Sequence, residues 1–219
     1  MRGLLLWLFT LPFSVGAINV GTLTFAMDQR QTFVAKRVLN NNNSARIYQV
    51  TIRAIDRPGE KEVRSRPADG EMLYAPKQLM LQAGQDEYYK FFYRGPKDNQ
   101  ERYYRISFRE VPAGYFDGRA RNNGARLEPI VVMDSILVVR PRETRFSYQL
   151  DKQRGTLSNN GNTYFKVLLK PDCDSSDEAG SSYYLRPGEV LRTAELRRYR
   201  QKFIIYNDKF INIDKSCLD

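Results

Sequence analysis

The 219-residue chain carries 35 Lys and Arg against 25 Asp and Glu, for a formal charge of +10, and it has no histidine. Without imidazole, Ser-His-Asp and Cys-His catalysis and histidine-ligated metal sites are excluded. A basic surface attracts anionic partners, and here it reads equally as a solvated face or as a binding surface.

Residues 1–17 read as a signal peptide. Arg2 gives a positive start, Leu4 to Val15 form an apolar run, and Val15-Gly16-Ala17 puts small residues at a cleavage site. The run is too short to span a bilayer, which takes about 20 apolar residues. No later stretch is long and apolar enough for membrane insertion. Export makes nucleic acid an unsuitable partner. Roughly 200 residues remain from near Ile18, enough for one large domain or two of ordinary size.

Helical periodicity is scarce, and short Val-, Ile-, Tyr- and Phe-rich segments alternate with turn residues. Strands are expected at Val20–Phe25 and Thr32–Leu39, the second ending at the turn cluster Asn40-Asn41-Asn42-Asn43-Ser44. Ile47–Ile55 sets Tyr48, Val50, Ile52 and Ala54 on one face, wholly apolar, against Gln49, Thr51 and Arg53 on the other. Leu79–Leu81 and Tyr88–Tyr93 follow. Arg102–Val111 alternates Tyr104, Ile106, Phe108 and Glu110 with Tyr103, Arg105, Ser107 and Arg109. Phe116–Arg126, rich in Gly, Arg and Asn, reads as a flexible loop open to proteolysis.

Glu128–Val139 is the longest strand candidate and is apolar on both faces. It is either a central strand buried on both sides or an edge strand whose second face serves a partner. Arg140-Pro141-Arg142 then stops it, and the domain boundary is placed there. Further strands are expected at Phe146–Leu150, Thr156–Ser158, Tyr164–Leu169, Tyr183–Leu185, Val190–Thr193, Phe203–Tyr206 and Phe210–Ile213. Roughly seven short strands per block predict an all-β chain of two tandem immunoglobulin-like sandwiches, residues 18–141 and 142–219.

Cys173 and Cys217 read as one disulfide in an oxidising compartment, with two free thiols as the alternative. The chain-entropy model gives such a loop roughly 4 kcal/mol. No phosphate-binding glycine loop or acid/base pairing is recognisable, and the chain is read as a non-enzyme with no cofactor and no metal.

Four stretches carry a family resemblance. They are Phe91-Phe92-Tyr93-Arg94-Gly95-Pro96, the run from Glu101-Arg102-Tyr103-Tyr104 to Arg109-Glu110-Val111-Pro112, Ile136-Leu137-Val138-Val139-Arg140-Pro141-Arg142, and Leu157-Ser158-Asn159-Asn160-Gly161-Asn162. In this order they resemble the periplasmic pilus chaperones, most closely those of the common-pilus (alternative chaperone/usher) type. The resemblance covers essentially the whole mature chain. It implies two sandwiches at an angle with a cleft between them, and a periplasmic protein that works by donor-strand complementation without ATP. The last strand of the first domain is lent to a pilus subunit that lacks one, and an outer-membrane usher then takes the subunit on.

Under that resemblance Glu128–Val139 is the lending strand. Leu127, Pro129, Val131 and Met133 are the expected subunit-binding side chains, and Ile130 and Val132 are expected to face the chain's own core. An interdomain charge cluster of Glu110, Arg140 and Asp208 is also implied, since an arginine fork suits two carboxylates. The family's basic pair for the terminal carboxylate of the bound pilin falls on Thr24 and Asp134, neither of them basic, so this anchor is not carried over. Self-association through the apolar edge is a further expected contact. The competing reading is a secreted structural or adhesive sandwich of a surface fibre, told apart by whether a pilin co-purifies.

Overall fold

The computed structural model describes residues 18–59, 61–116 and 129–217. The expected signal peptide, the loop expected beyond Phe116, and Leu127 and Glu128 lie outside the described residues.

The first sandwich contains β1 (Ile18–Asn19), β2 (Thr24–Met27), β3 (Phe33–Asn40), β4 (Arg46–Ile55), β5 (Arg64–Ser65), β6 (Met72–Ala75), β7 (Gln78–Leu81), β8 (Asp86–Tyr93), β9 (Arg102–Pro112) and β10 (Val131–Val139). One sheet runs β1-β3-β8-β6. The other runs β2-β10-β9-β4, with β5 and β7 both on the free side of β4. The alternation read from β4 and β9 fixes their register. Tyr48 lies opposite Glu110, Val50 opposite Phe108, Ile52 opposite Ile106 and Ala54 opposite Tyr104. This row faces the first sheet, where Tyr89 and Phe91 of β8 meet Phe108 edge-on at 6.0 and 6.5 Å between ring centres. All three rings are fully buried, and truncating one such ring to alanine costs about 3–5 kcal/mol.

Two features depart from the strand expectations. Val20–Phe25 is not one strand. β1 pairs with β3 in the first sheet, the chain turns at Gly21 (φ 65°), and β2 pairs with β10 in the second. Asn19 Oδ1 accepts from the Gly21 N–H at 2.8 Å and holds this crossing. β5 and β6 were not expected, being short. β6 ends at the cis Ala75–Pro76 bond, where the chain leaves β8 for β4.

The second sandwich contains β11 (Tyr148–Asp151), β12 (Thr156–Asn159), β13 (Phe165–Lys170), β14 (Ser181–Leu185), β15 (Val190–Arg192), the short helix α1 (Glu195–Arg198), β16 (Gln201–Tyr206) and β17 (Lys209–Asn212). Its sheets run β11-β12-β15 and β14-β13-β16-β17 around Leu157, Phe165, Val167, Leu169, Leu196 and Ile204. The Asn159-to-Asn162 turn needs its glycine. A Cβ on Gly161 would lie 2.2 Å from the Arg145 carbonyl oxygen.

Cys173 and Cys217 form the disulfide, with Cα atoms 5.7 Å apart. Beside it, Asp214 accepts hydrogen bonds from Lys152 and Lys202 and from Ser216 Oγ at 2.7 Å. Burial pushes the Asp214 carboxyl up, but these donors outweigh it and hold it well below the usual carboxylate range. A depressed carboxyl adds stability that is present above its unfolded pKa and lost as pH falls through the folded one.

Asp214→Ala strands Lys202 as a buried charge and should lower the stability of the second sandwich by about 3–5 kcal/mol. Urea unfolding at pH 7 measures this. The wild-type protein should also lose stability below about pH 4 more steeply than the variant.

Candidate functional site: an open strand edge and an interdomain cleft

β10 is covered unequally. β9 pairs antiparallel along its full length, from Val131 opposite Glu110 to Val139 opposite Arg102. On the other side β2 pairs in parallel with Ile136–Val139 alone. The Ile136 N–H donates to Leu23 O at 2.7 Å and the Arg140 N–H to Met27 O at 3.0 Å. Upstream, no strand among the described residues lies beside Val131–Ser135 on that side. In an antiparallel ladder alternate residues turn both backbone groups to the same edge. Val132 and Asp134 therefore present their N–H and C=O groups to the open side. Each reading of the apolar run holds for half of it. Leu137, Val138 and Val139 belong to a buried central strand, and the first half of β10 is an edge.

Both faces of that edge are apolar. Val131 and Met133 are half-buried at the rim of the first core. Pro129 is exposed, and Leu127 lies outside the described residues. Ile130 and Val132 do not face the core as expected but are 40% and 59% exposed. The register explains the correction: Val132 sits opposite Arg109, on the outer row, whereas Val131 sits opposite the inward Glu110. Asp134 shares the outer face. It accepts from Ser107 Oγ at 2.6 Å and lies 3.5 Å from Arg64 Nη2.

Beyond β10, Arg140 joins the two sandwiches. Its Nη1 donates to Thr163 Oγ1 at 2.5 Å. Its Nε lies 3.2 Å from Asp28 Oδ1, and the guanidinium stacks 4.8 Å from the Tyr164 ring centre and 5.1 Å from that of Tyr206. Glu101, from the start of β9, reaches the same point. It accepts from Thr163 Oγ1 at 2.6 Å, from the Tyr164 N–H at 3.0 Å and from Tyr103 Oη at 2.5 Å. Burial pushes the Glu101 carboxyl up, against these donors and the attraction of Arg140. Ile55, Tyr103 and Val138 pack beneath, with Ile136 and Tyr164 against them.

The expected trio is therefore not assembled. Glu110 lies at the far end of β9, nine strand residues or roughly 30 Å from Glu101. There it is buried, accepts from Tyr48 Oη at 3.0 Å and sits 3.7 Å from Arg46 Nε. Antiparallel pairing sets the beginning of β9 against the end of β10, so of the two glutamates it is Glu101 that lies near Arg140, alongside Asp28. That rule, applied to the sequence, would have found it. Asp208 does line the same cleft as Arg140, in a turn where Asn207 and Asp208 have φ of 49° and 57°.

The cleft between the sandwiches has a volume of about 720 Å³ and brings Arg140 and Lys166 to Thr24, Tyr164, Tyr184 and Asp208. Thr24 lies opposite Ile136 in the ladder and lines the cleft, whereas Asp134 is not among the cleft-lining residues. Among the described residues no helix is long and apolar enough to cross a membrane.

Arg140→Ala should remove about 3–5 kcal/mol of stability, because Glu101 and Asp28 lose their shared cation. Arg140→Lys should recover only part of it, since an ammonium lacks the fork. Urea unfolding checks both, and wild-type unfolding of Arg140→Ala would refute the role.

No protein-family model matches the chain. It is 57% identical over 202 residues to the probable fimbrial chaperone EcpE of Escherichia coli strain K12, covering 92% of this chain and 86% of that one. It is 29% identical over 204 residues to the probable fimbrial chaperone EcpB of Escherichia coli O157:H7 strain EC4115, covering 90% and 91%. Among solved structures it resembles the periplasmic chaperone SfaE with a TM-score of 0.58 at 15% identity, covering 90% of this chain and 98% of that one. The class 5 fimbriae chaperone CfaA gives 0.55 at 14%, covering 90% and 97%. These structures share the fold of two immunoglobulin-like sandwiches. With a relative 57% identical across 92% of its length, the chain belongs to the fimbrial chaperones.

Proposed function

We propose that this chain binds pilus subunits in the periplasm by lending them the open half of β10 and hands them to an outer-membrane usher. The observation that carries the reading is the uncovered edge at Val131–Ser135. A pilin strand added there continues the lane of β2. It satisfies the exposed N–H and C=O groups of Val132 and Asp134, as in other cases of strand addition. Val131 and Met133 point into the rim of the sandwich, where an added sheet would extend the core, so they are the side chains assigned to the pilin groove. Pro129 continues that row by the period of two, and Leu127 lies outside the described residues. The sequence features of an exported chain support the periplasmic location. The SafB chaperone, of similar fold, is solved with the SafA pilin of Salmonella enterica, which supports a pilin as the occupant.

Rigid placement of the edge is part of this function. β10 is clamped by β9 along one side and by Arg140 at its end. A preordered strand loses little entropy on binding. A second copy of the chain is the competing occupant of the same edge.

Met133→Glu should abolish the one-to-one complex with a co-expressed fimbrial subunit of the same strain, while the circular dichroism spectrum of the free protein stays unchanged. Size-exclusion chromatography reads the complex. An undiminished complex peak would remove the lending strand from the mechanism.

A further inference from the structure

The outer face of β10 reads Ile130, Val132, Asp134, Ile136, Val138, so a carboxylate interrupts an aliphatic row. Asp134 occupies the last outer-face position before β2 closes the edge at Ile136. Its side chain is 34% exposed. Ser107 Oγ fixes Oδ1 at 2.6 Å. Arg64 reaches Oδ2 only at 3.5 Å, because its Nε is committed to Glu62 at 2.6 Å. Glu62 is in turn held by Arg105, whose donated hydrogen bonds keep its carboxyl below the usual range. The carboxylate is thus positioned from one side and keeps acceptor capacity, since an ionised carboxylate has about four lone-pair sites.

We propose that Asp134 is the specificity determinant of the open edge: it selects a guest strand that sets a basic or amide side chain opposite it, and it disfavours a second copy of this chain. The proposal rests on β10 being the lending strand. A residue directly across an antiparallel pair lies about 4.5–5.5 Å away between Cβ atoms, and the parallel lane is comparably close. Lysine, arginine or asparagine there replaces the water lost by the carboxylate. An aliphatic residue there desolvates it without compensation.

Among the described residues a second copy has no suitable partner to offer. Two open edges related by a twofold axis pair antiparallel, and residues that turn their backbone groups outward meet residues that do the same. On β10 the even-numbered positions point outward, and β2 occupies those from Ile136 onward. Among the described residues a twin can therefore set only Ile130, Val132 or its own Asp134 opposite Asp134. The first two are aliphatic and the third is a like charge. A fixed charge on a sticky edge is a recognised device against self-pairing.

The test uses the full-length mature protein and its Asp134→Val, Asp134→Asn and Asp134→Lys variants. Light scattering after size exclusion should show Asp134→Val self-associating at about ten- to a hundredfold lower concentration than wild type. With the co-expressed fimbrial subunit, Asp134→Asn should weaken capture about tenfold at low salt and flatten its salt dependence. Asp134→Lys should lose capture altogether. Asp134→Val remaining as monomeric as wild type, or all three variants holding the pilin with unchanged salt dependence, would overturn the assignment. Met133→Glu separates the two levels. If it loses the pilin while the Asp134 variants behave as wild type, only the role of Asp134 falls. If it keeps the pilin, the lending-strand reading falls, and the role of Asp134 with it.

Discussion

β10 has nine residues of strand and β2 covers four of them. Backbone N–H and C=O groups must find partners, and at an exposed edge only water supplies them. That state costs little in solution but is sticky toward another strand. The rest of the first sandwich serves to hold this unfinished edge still. β9 bonds it along one side, the core packs under Val131 and Met133, and the chain beyond it is fastened to the second sandwich. The apolar surface left at Val132 is therefore presented on a rigid strand rather than on a loop.

The fastening is electrostatic and aromatic at once. Arg140 lies between two tyrosine faces and hydrogen-bonds Thr163, which passes its own proton donor on to Glu101. Charges this buried gain little net stability over an apolar replacement but are costly to break singly. Such a group fixes geometry more than it adds stability. An arginine fits because its planar fork can stack and donate together. The second sandwich carries a separate buried ion cluster at Asp214, next to the disulfide, so each half of the molecule has its own polar fastening.

Much of the architecture was legible in the sequence because β4 and β9 alternate so cleanly that their inward rows follow from period two alone. All seven expected strands of the second sandwich form, with ends shifted by a residue or two. The site was less legible, and the reasons are nonlocal. Nothing in Val131–Val139 states that β2 begins only at Thr24, opposite Ile136, so edge and centre were indistinguishable there. The facing of Ile130 and Val132 depended on the register with β9, which a single strand does not encode. Glu110 and Glu101 both flank the same strand, and only its antiparallel pairing with β10 says which of them meets Arg140. β5 and β6 carry too few residues to show a period.

The crossing of the first strand has a bearing on folding order. β1 is satisfied early, by its neighbour β3. β2 waits for β10, at the opposite end of the first sandwich, and contacts of such separation close slowly because the intervening chain must be ordered first. During that interval the nascent sheet exposes the whole of one flank, and an early arrival from any other polypeptide finds a longer vacancy than the finished molecule offers. Pairing of β2 with Ile136–Val139 shortens that vacancy to Val131–Ser135.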